Sequence, residues 1–177
     1  MRKIKYHCAV SLDGYVARPD GSFDCFAMHG PHVTDFVQSF AGYDVALMGR
    51  KTYEVGLRAG VTNPYPTLKT YVFSRTLARS PDESVTLVSS GALDVVRGLK
   101  LQEGKDIWVV GAGDFATTLF SHDLVDEIIL KVNPILLGEG IRVVAHLQQP
   151  ARLWLTDSKI YDNGVVLLSY RVLPTGV

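Results

Sequence analysis

Residues 106–120 read DIWVVGAGDFATTLF, and the order of features within this stretch decides the fold. An apolar run rich in β-branched and aromatic residues, DIWVV (106–110), is stopped by Gly111-Ala112-Gly113, and a segment with helical apolar spacing, DFATTLFSHDL (114–124), follows at once. A short apolar run bounded by glycine predicts a buried strand, and the periodicity after it predicts a helix. The same strand–glycine–helix unit stands upstream, where DVALMG (44–49) runs into a helical segment opening at Arg50.

Further strands are predicted at IKYHCAV (4–10), TYVFS (70–74) and SVTLV (84–88), with helices at PHVTDFVQSF (31–40) and GALDVVRGL (91–99). A strand that returns parallel to its neighbour needs a crossover of about a dozen residues, usually a helix, so this alternation predicts a parallel sheet. After residue 124 the pattern changes. EIILKVNPILL (127–137), ARLWLTDSKIY (151–161) and VVLLSYRVL (165–173) are strand-like, and Asp162-Asn163-Gly164 between the last two is a hairpin turn. The expectation is one α/β domain over residues 1–177: a three-layer fold whose mainly parallel central sheet is closed by an antiparallel C-terminal strand and hairpin.

Charge and composition exclude several classes. Eighteen basic residues balance eighteen acidic ones, so no surplus attracts nucleic acid or an anionic membrane. Two cysteines without a CxxC pair and five scattered histidines predict neither a disulfide framework nor a metal site. The start, MRKIKYHCAVSLDGYVA, breaks its apolar run at Ser11 and Asp13 before a signal core or membrane span could form, which predicts a cytoplasmic protein.

Three places at the carboxyl ends of predicted strands are suited to anions. Gly49-Arg50-Lys51-Thr52 puts a glycine before a helix start, where unpaired N–H groups and the positive dipole end favour a phosphate. Gly111-Ala112-Gly113-Asp114-Phe115-Ala116 formally matches the dinucleotide fingerprint G-x-G-x-x-A. Ser74-Arg75 sets a hydroxyl beside a guanidinium, a donor pair fitted to a phosphomonoester. Each taken alone also reads as an ordinary turn; their shared position at the carboxyl edge is what points to a ligand.

The motifs SLDGYVA (11–17), MGRKTYE (48–54), VFSRTL (72–77) and VVGAGDFATTLF (109–120) follow one another as in the dihydrofolate reductase-like superfamily, which the chain resembles over residues 3 to 172. NPILLGEG (133–140) is similar, more specifically, to the C-terminal reductase domain of bifunctional riboflavin-biosynthesis deaminase-reductases. The resemblance implies NADPH bound across the carboxyl edge of the sheet, a small-molecule substrate and a homodimer. It implies that Gly49, Arg50, Lys51 and Thr52 contact the pyrophosphate and 2′-phosphate region and that Ser74 and Arg75 contact the 2′-phosphate. Gly111, Ala112, Gly113, Asp114 and Phe115 would receive the pyrophosphate, while Ala9, Leu12, Asp13 and Gly14 would flank the nicotinamide. On the substrate side the chain departs from both branches. AMHGPHV precedes Asp35 in place of a Trp-x-x-Pro context, and Tyr15 stands where riboflavin reductases carry a basic residue.

The implied reaction is hydride transfer from NADPH to an electrophilic C=N or C=O carbon of a pterin- or pyrimidine-like ring or a ring-opened sugar. The negative charge that develops on the acceptor needs a proton, for which Asp13 and Asp35 rank first, ahead of Tyr15 and Glu139. For Asp13 the alternative is turn formation, and for Asp35 a solvated helix residue. Phe23, Phe26, Phe36, Phe40, Tyr43 and Tyr53 could stack on a planar ligand, His29 and His32 could touch it from an exposed loop, and Trp108 and Trp154 read as packing residues. Two rival functions are a non-catalytic NADP(H)-binding or sensor protein and an NAD-dependent Rossmann dehydrogenase. The late position of GAGDFA and the presence of Ser74-Arg75 oppose the second.

Overall fold

The computed structural model describes residues 1–174; the last three residues of the expected unit, 175–177, lie outside the described ones. Its centre is an eight-stranded sheet. In chain order the strands are β1 (Ile4–Ser11), β2 (Tyr15–Ala17), β3 (Tyr43–Gly49), β4 (Lys69–Phe73), β5 (Val85–Val88), β6 (Asp106–Val110), β7 (Glu127–Asn133), β8 (Ile141–Arg142), β9 (Leu153–Ile160) and β10 (Val166–Val172). The helices are α1 (Pro31–Ser39), α2 (Arg50–Arg58), α3 (Ala92–Leu101) and α4 (Asp114–Ser121). The main sheet runs β5-β4-β3-β6-β1-β7-β10-β9, and β2 pairs with β8 as a separate two-stranded ribbon.

Two adjacent inner strands, β3 and β6, carry the apolar runs that were read first. Val45, Ala46, Leu47 and Met48 of β3 and Ile107, Trp108 and Val109 of β6 are all at most 2% exposed. A strand covered on both faces has no reason to alternate, which is why these segments are continuously apolar. On one face Trp108 gathers Phe36, Phe40, Tyr43 and Tyr65 at centroid distances of 4.6–6.0 Å, and its indole N–H donates to the His7 carbonyl at 2.9 Å. This face is closed by α1 and α2. On the other face Tyr6, Val45, Leu47 and Val109 pack under Val96 and Leu99 of α3 and Leu119 and Phe120 of α4.

The sheet closes as expected, with an antiparallel C-terminal strand and hairpin. β7 pairs parallel to β1 over seven residues, because the α4 crossover returns it in the same direction, and only β10 is reversed, pairing antiparallel with β7 on one side and β9 on the other. β7 also ends at Asn133, earlier than 137: Pro134 lacks the N–H a ladder needs. β9 forms the outer edge, with all eight residues exposed. Among the described residues no helix is long and apolar enough to cross a membrane.

Candidate functional site

β6 lies between β3 and β1, and its connection leaves for the opposite face from theirs: β3 and β1 lead into α2 and α1, β6 into α4. Adjacent strands whose helices go to opposite faces leave a crevice at their carboxyl ends, where open α/β sheets bind ligands. Three of the anion-suited segments converge there. The register pairs Gly49 with Phe73, so Arg75 stands just beyond the residue facing the Gly49–Arg50 helix start.

The two helix starts touch. A Cβ on Gly111 would stand 2.5 Å from Thr52 Cγ2 and closer still to Oγ1, and one on Gly49 would stand 3.1 Å from Phe115 Cβ. Lys51 Nζ lies 4.0 Å from Asp114 Oδ2, both side chains being more than four-fifths exposed. Neither helix has a side-chain cap, so their first-turn N–H groups point unspent into one crevice. Gly113, at φ 99°, has nothing within 4 Å of a notional Cβ and leaves space over the start of α4.

The side chains expected here behave differently from one another. Arg50 donates through Nη1 to both carboxylate oxygens of Glu54, one turn on, at 2.7 and 2.9 Å, which offsets its charge. Phe115 stacks on Phe73 with centroids 4.4 Å apart and planes 19° apart, which fixes α4 against the sheet and keeps its ring out of the crevice. The buried Ser74 hydroxyl accepts the N–H groups of Thr76 and Leu77, at 3.2 and 2.8 Å, and retains its own proton to donate. Arg75, beside it, is exposed and makes no ion pair or hydrogen bond among the described residues.

Beside the crevice the loops after β1 and β7 are laced together by Asp13. Its carboxylate accepts the Ser11 hydroxyl at 2.6 Å and the N–H groups of Leu137 (3.1 Å) and Gly138 (2.7 Å). The lacing continues as Leu12 N–H to Ile135 C=O and Val143 N–H to Gly14 C=O, each 2.9 Å, and leads into the β2–β8 ribbon. The Ser11 hydroxyl first, then the two backbone donors, push the Asp13 carboxyl down to about 2. It is ionised at neutral pH and has no proton to give; its geometry is that of a clasp. Leu12, 68% exposed, projects from the same turn, and Ala9 lies near the end of β1.

Asp35 is likewise an acceptor. Lys159 Nζ at 2.5 Å and the Tyr161 hydroxyl at 2.7 Å both address its Oδ2, and these two contacts, the lysine first, hold the carboxyl below the usual range. The contacts tie α1 to the β9–β10 hairpin. His32 reinforces the tie and corrects the expectation of an exposed loop histidine. It lies in the first turn of α1, 2% exposed, with Nε2 3.0 Å from the Ala27 carbonyl and Nδ1 3.1 Å from Asn163 Nδ2. His29 and Glu139 are exposed, and Tyr15 is buried with its hydroxyl donating to the Gly138 carbonyl at 3.2 Å. Two polar residues that the sequence motifs do not mark, His7 and Lys131, face the same side of the sheet as Phe36. The only sequence signal for them is a polar residue inside an apolar strand.

Comparison with known proteins fits this architecture. The family model described as the RibD C-terminal domain matches residues 2–167. The Bacillus subtilis protein YwjB is 34% identical over 170 residues, covering 94% of this chain and 96% of YwjB. A putative riboflavin biosynthesis protein from Shewanella sp. PV-4 superposes with a TM-score of 0.83 at 24% identity, over 97% of this chain and 99% of its own. Dihydrofolate reductase from Enterococcus faecalis, solved with NADP(H), superposes with a TM-score of 0.67 at 16% identity over 96% of each chain. The fold is dihydrofolate reductase-like.

Proposed function

We propose, because the chain belongs to the RibD C-terminal domain family, that it is an NADPH-dependent reductase delivering a hydride to a C=N or C=O carbon of a small planar heterocycle, a pterin- or pyrimidine-like ring. The observation that carries the cofactor half is the convergence of two uncapped helix N-termini from opposite faces of the sheet, with an unpaired guanidinium two residues beyond the strand end beside them. Two helix starts supply fixed donors for a pyrophosphate, and the separate cation answers a further phosphate such as the one that distinguishes NADPH from NADH.

In this reading the backbone N–H groups of Arg50, Lys51, Thr52, Asp114 and Phe115 hold the pyrophosphate, with Gly49, Gly111, Ala112 and Gly113 keeping the approach clear. Lys51 offsets the charge of Asp114, and Ser74 and Arg75 take the 2′-phosphate. Ala9, Leu12 and Gly14 flank the nicotinamide, and Asp13 holds their turn in place. Bound NADPH would supply the hydride from its C4, and the proton that the reduced nitrogen or oxygen takes up would come from solvent; the chain positions the two reactants.

The test is label transfer. The protein is incubated with C4-deuterated NADPH and a panel of pteridines and oxo-pyrimidines, and each product is examined for deuterium on a newly saturated carbon together with an equimolar yield of NADP⁺. Transfer to any member supports the reading. Tight NADPH binding with no transfer to any acceptor, ring-opened aminosugars included, would count against catalysis and favour an NADP(H)-binding or sensor protein.

A further inference from the structure

The sheet face beneath α1 carries three lysines, and two of them are neutralised. Lys5 on β1 lies 2.9 Å from Asp106 Oδ2 and 3.2 Å from Glu127 Oε2. Lys159 on β9 lies 2.5 Å from Asp35 Oδ2. Lys131 on β7, between them, is partly buried and makes no ion pair or hydrogen bond among the described residues. The ammonium stands over an aromatic ring, 6.0 Å from the centre of Phe36.

The register fixes where this charge points. Ala9 pairs with Lys131, Lys131 with Leu167 and Leu167 with Lys159, forming one row across four strands. Asp35 on α1 closes the far end of that row by taking Lys159 and the Tyr161 hydroxyl. The near end is Ala9, close to the carboxyl end of β1 and so beside the crevice already described. Lys131 is therefore the unpaired cation next to where a nicotinamide flanked by Ala9 would lie.

A second group is left incomplete beside it. His7, two residues before Ala9 and on the same face, is 4% exposed, and neither ring nitrogen has a hydrogen-bond partner among the described residues. Its ring meets Phe36 edge-on, centroids 4.9 Å apart. Burial, then the charges of Lys131 and Lys5, push the imidazole down to about 4, so it is neutral at physiological pH and offers one donor and one acceptor. Buried polar groups are ordinarily paired, and a half-buried ammonium without a counter-ion is costly. An orphan imidazole and an orphan ammonium against one aromatic ring are groups that a ligand completes.

We propose that Lys131, Phe36 and His7 form the substrate subsite, and that it takes a planar heterocycle with an anionic oxygen edge, an oxo-pyrimidine or pteridine bearing a carboxylate or an ionised ring oxygen. The proposal rests on the reductase reading for the position of the cofactor. A delocalised planar anion suits one ammonium beside a ring face and a buried imidazole, whereas a phosphate would call for more donors than this face provides. The positive charge also turns away a ring that binds in its protonated, cationic form.

The experiment titrates orotate and pterin-6-carboxylate, with uracil as the uncharged control, into wild type, Lys131→Met and Lys131→Arg, each with and without saturating NADP⁺. NADP⁺ affinity is measured separately, so that failure of the cofactor reading registers as loss of NADP⁺ binding and not of anion binding. Expected is binding of at least one carboxylate to wild type, weakened tenfold or more in Lys131→Met and largely kept in Lys131→Arg, with uracil weak throughout and NADP⁺ affinity unchanged. The imidazole NMR signals of wild-type His7 should shift on carboxylate binding, a readout that does not depend on the variants folding. The proposal is overturned if neither carboxylate binds wild type, if both bind wild type and Lys131→Met equally, or if binding leaves the His7 signals unmoved.

Discussion

Replacing Gly111 by alanine tests how tightly the two helix starts are fitted to each other. Gly111 sits at φ 77°, where an L side chain costs about 1–2 kcal/mol. Its new Cβ would also stand 2.5 Å from Thr52 Cγ2 and 2.9 Å from Thr52 Cβ, contacts that force α2 away from the turn and cost about 1–3 kcal/mol as overpacking. The expected loss is therefore about 2–5 kcal/mol. Gly91→Ala is the control, since its φ of 63° and ψ of 30° carry the left-handed backbone strain while nothing lies within 4 Å of the added carbon. It should lose only about 1–2 kcal/mol. Thr52→Ala in the Gly111→Ala background removes Oγ1 and Cγ2, and about half of the packing loss should return as a coupling energy. Urea unfolding at constant m-value measures all five chains, wild type and the Thr52→Ala single variant that closes the cycle included. Equal losses at Gly111 and Gly91, or no coupling to Thr52, would refute the contact between the helix starts.

Three further outcomes follow from the same geometry. Asp13, held down at about 2, contributes stability that is fully present above the ordinary aspartate value near 4 and is lost as pH falls from there toward 2; Asp13→Asn should flatten that part of the acid unfolding profile, and an unchanged profile would contradict the clasp. Trp108→Phe leaves the buried His7 carbonyl without its 2.9 Å donor and opens space in the aromatic cluster, so thermal unfolding should report a loss of about 2–4 kcal/mol. The homodimer implied by the family resemblance should use the free edge of β9, where Leu153, Trp154, Leu155 and Ile160 are exposed; sedimentation equilibrium should find a wild-type dimer and a Trp154→Glu monomer, and a dimeric variant would move the interface elsewhere.

The parallel half of the fold is legible because each unit repeats one order, apolar strand, glycine, helix, and a parallel return leaves few other topologies. The direction of β7 is not legible: EIILKVN has the same pattern whether its partner runs parallel or antiparallel, and only the length of the α4 crossover carries that information. The β2–β8 ribbon, three residues against two, is too short for any period. Motif reading places Gly49, Gly111 and Gly113 at a shared crevice because glycines and helix starts are backbone features. It is weaker for side chains, whose partners come from elsewhere in the fold. The Arg50–Glu54 spacing, one helical turn, is visible in RKTYE and foretells that pair, whereas the stacking of Phe115 on Phe73 depends on tertiary packing. Asp13 and Asp35 find their partners more than 120 residues away, at Gly138 and at Lys159 and Tyr161. For the same reason Lys131 cannot be told from a solvated strand lysine until the strands beside it are known.

We propose that the nucleotide crevice selects NADPH through Arg75. Calorimetric titration of wild type and Arg75→Ala with NADPH and with NADH addresses it directly. Loss of one charge-assisted contact is worth about 1.5–3 kcal/mol, or roughly tenfold to a hundredfold in affinity. NADPH should bind wild type more tightly than NADH does, and Arg75→Ala should remove this preference while NADH binding stays the same. Equal binding of the two nucleotides to wild type, or failure of either to bind, would contradict it.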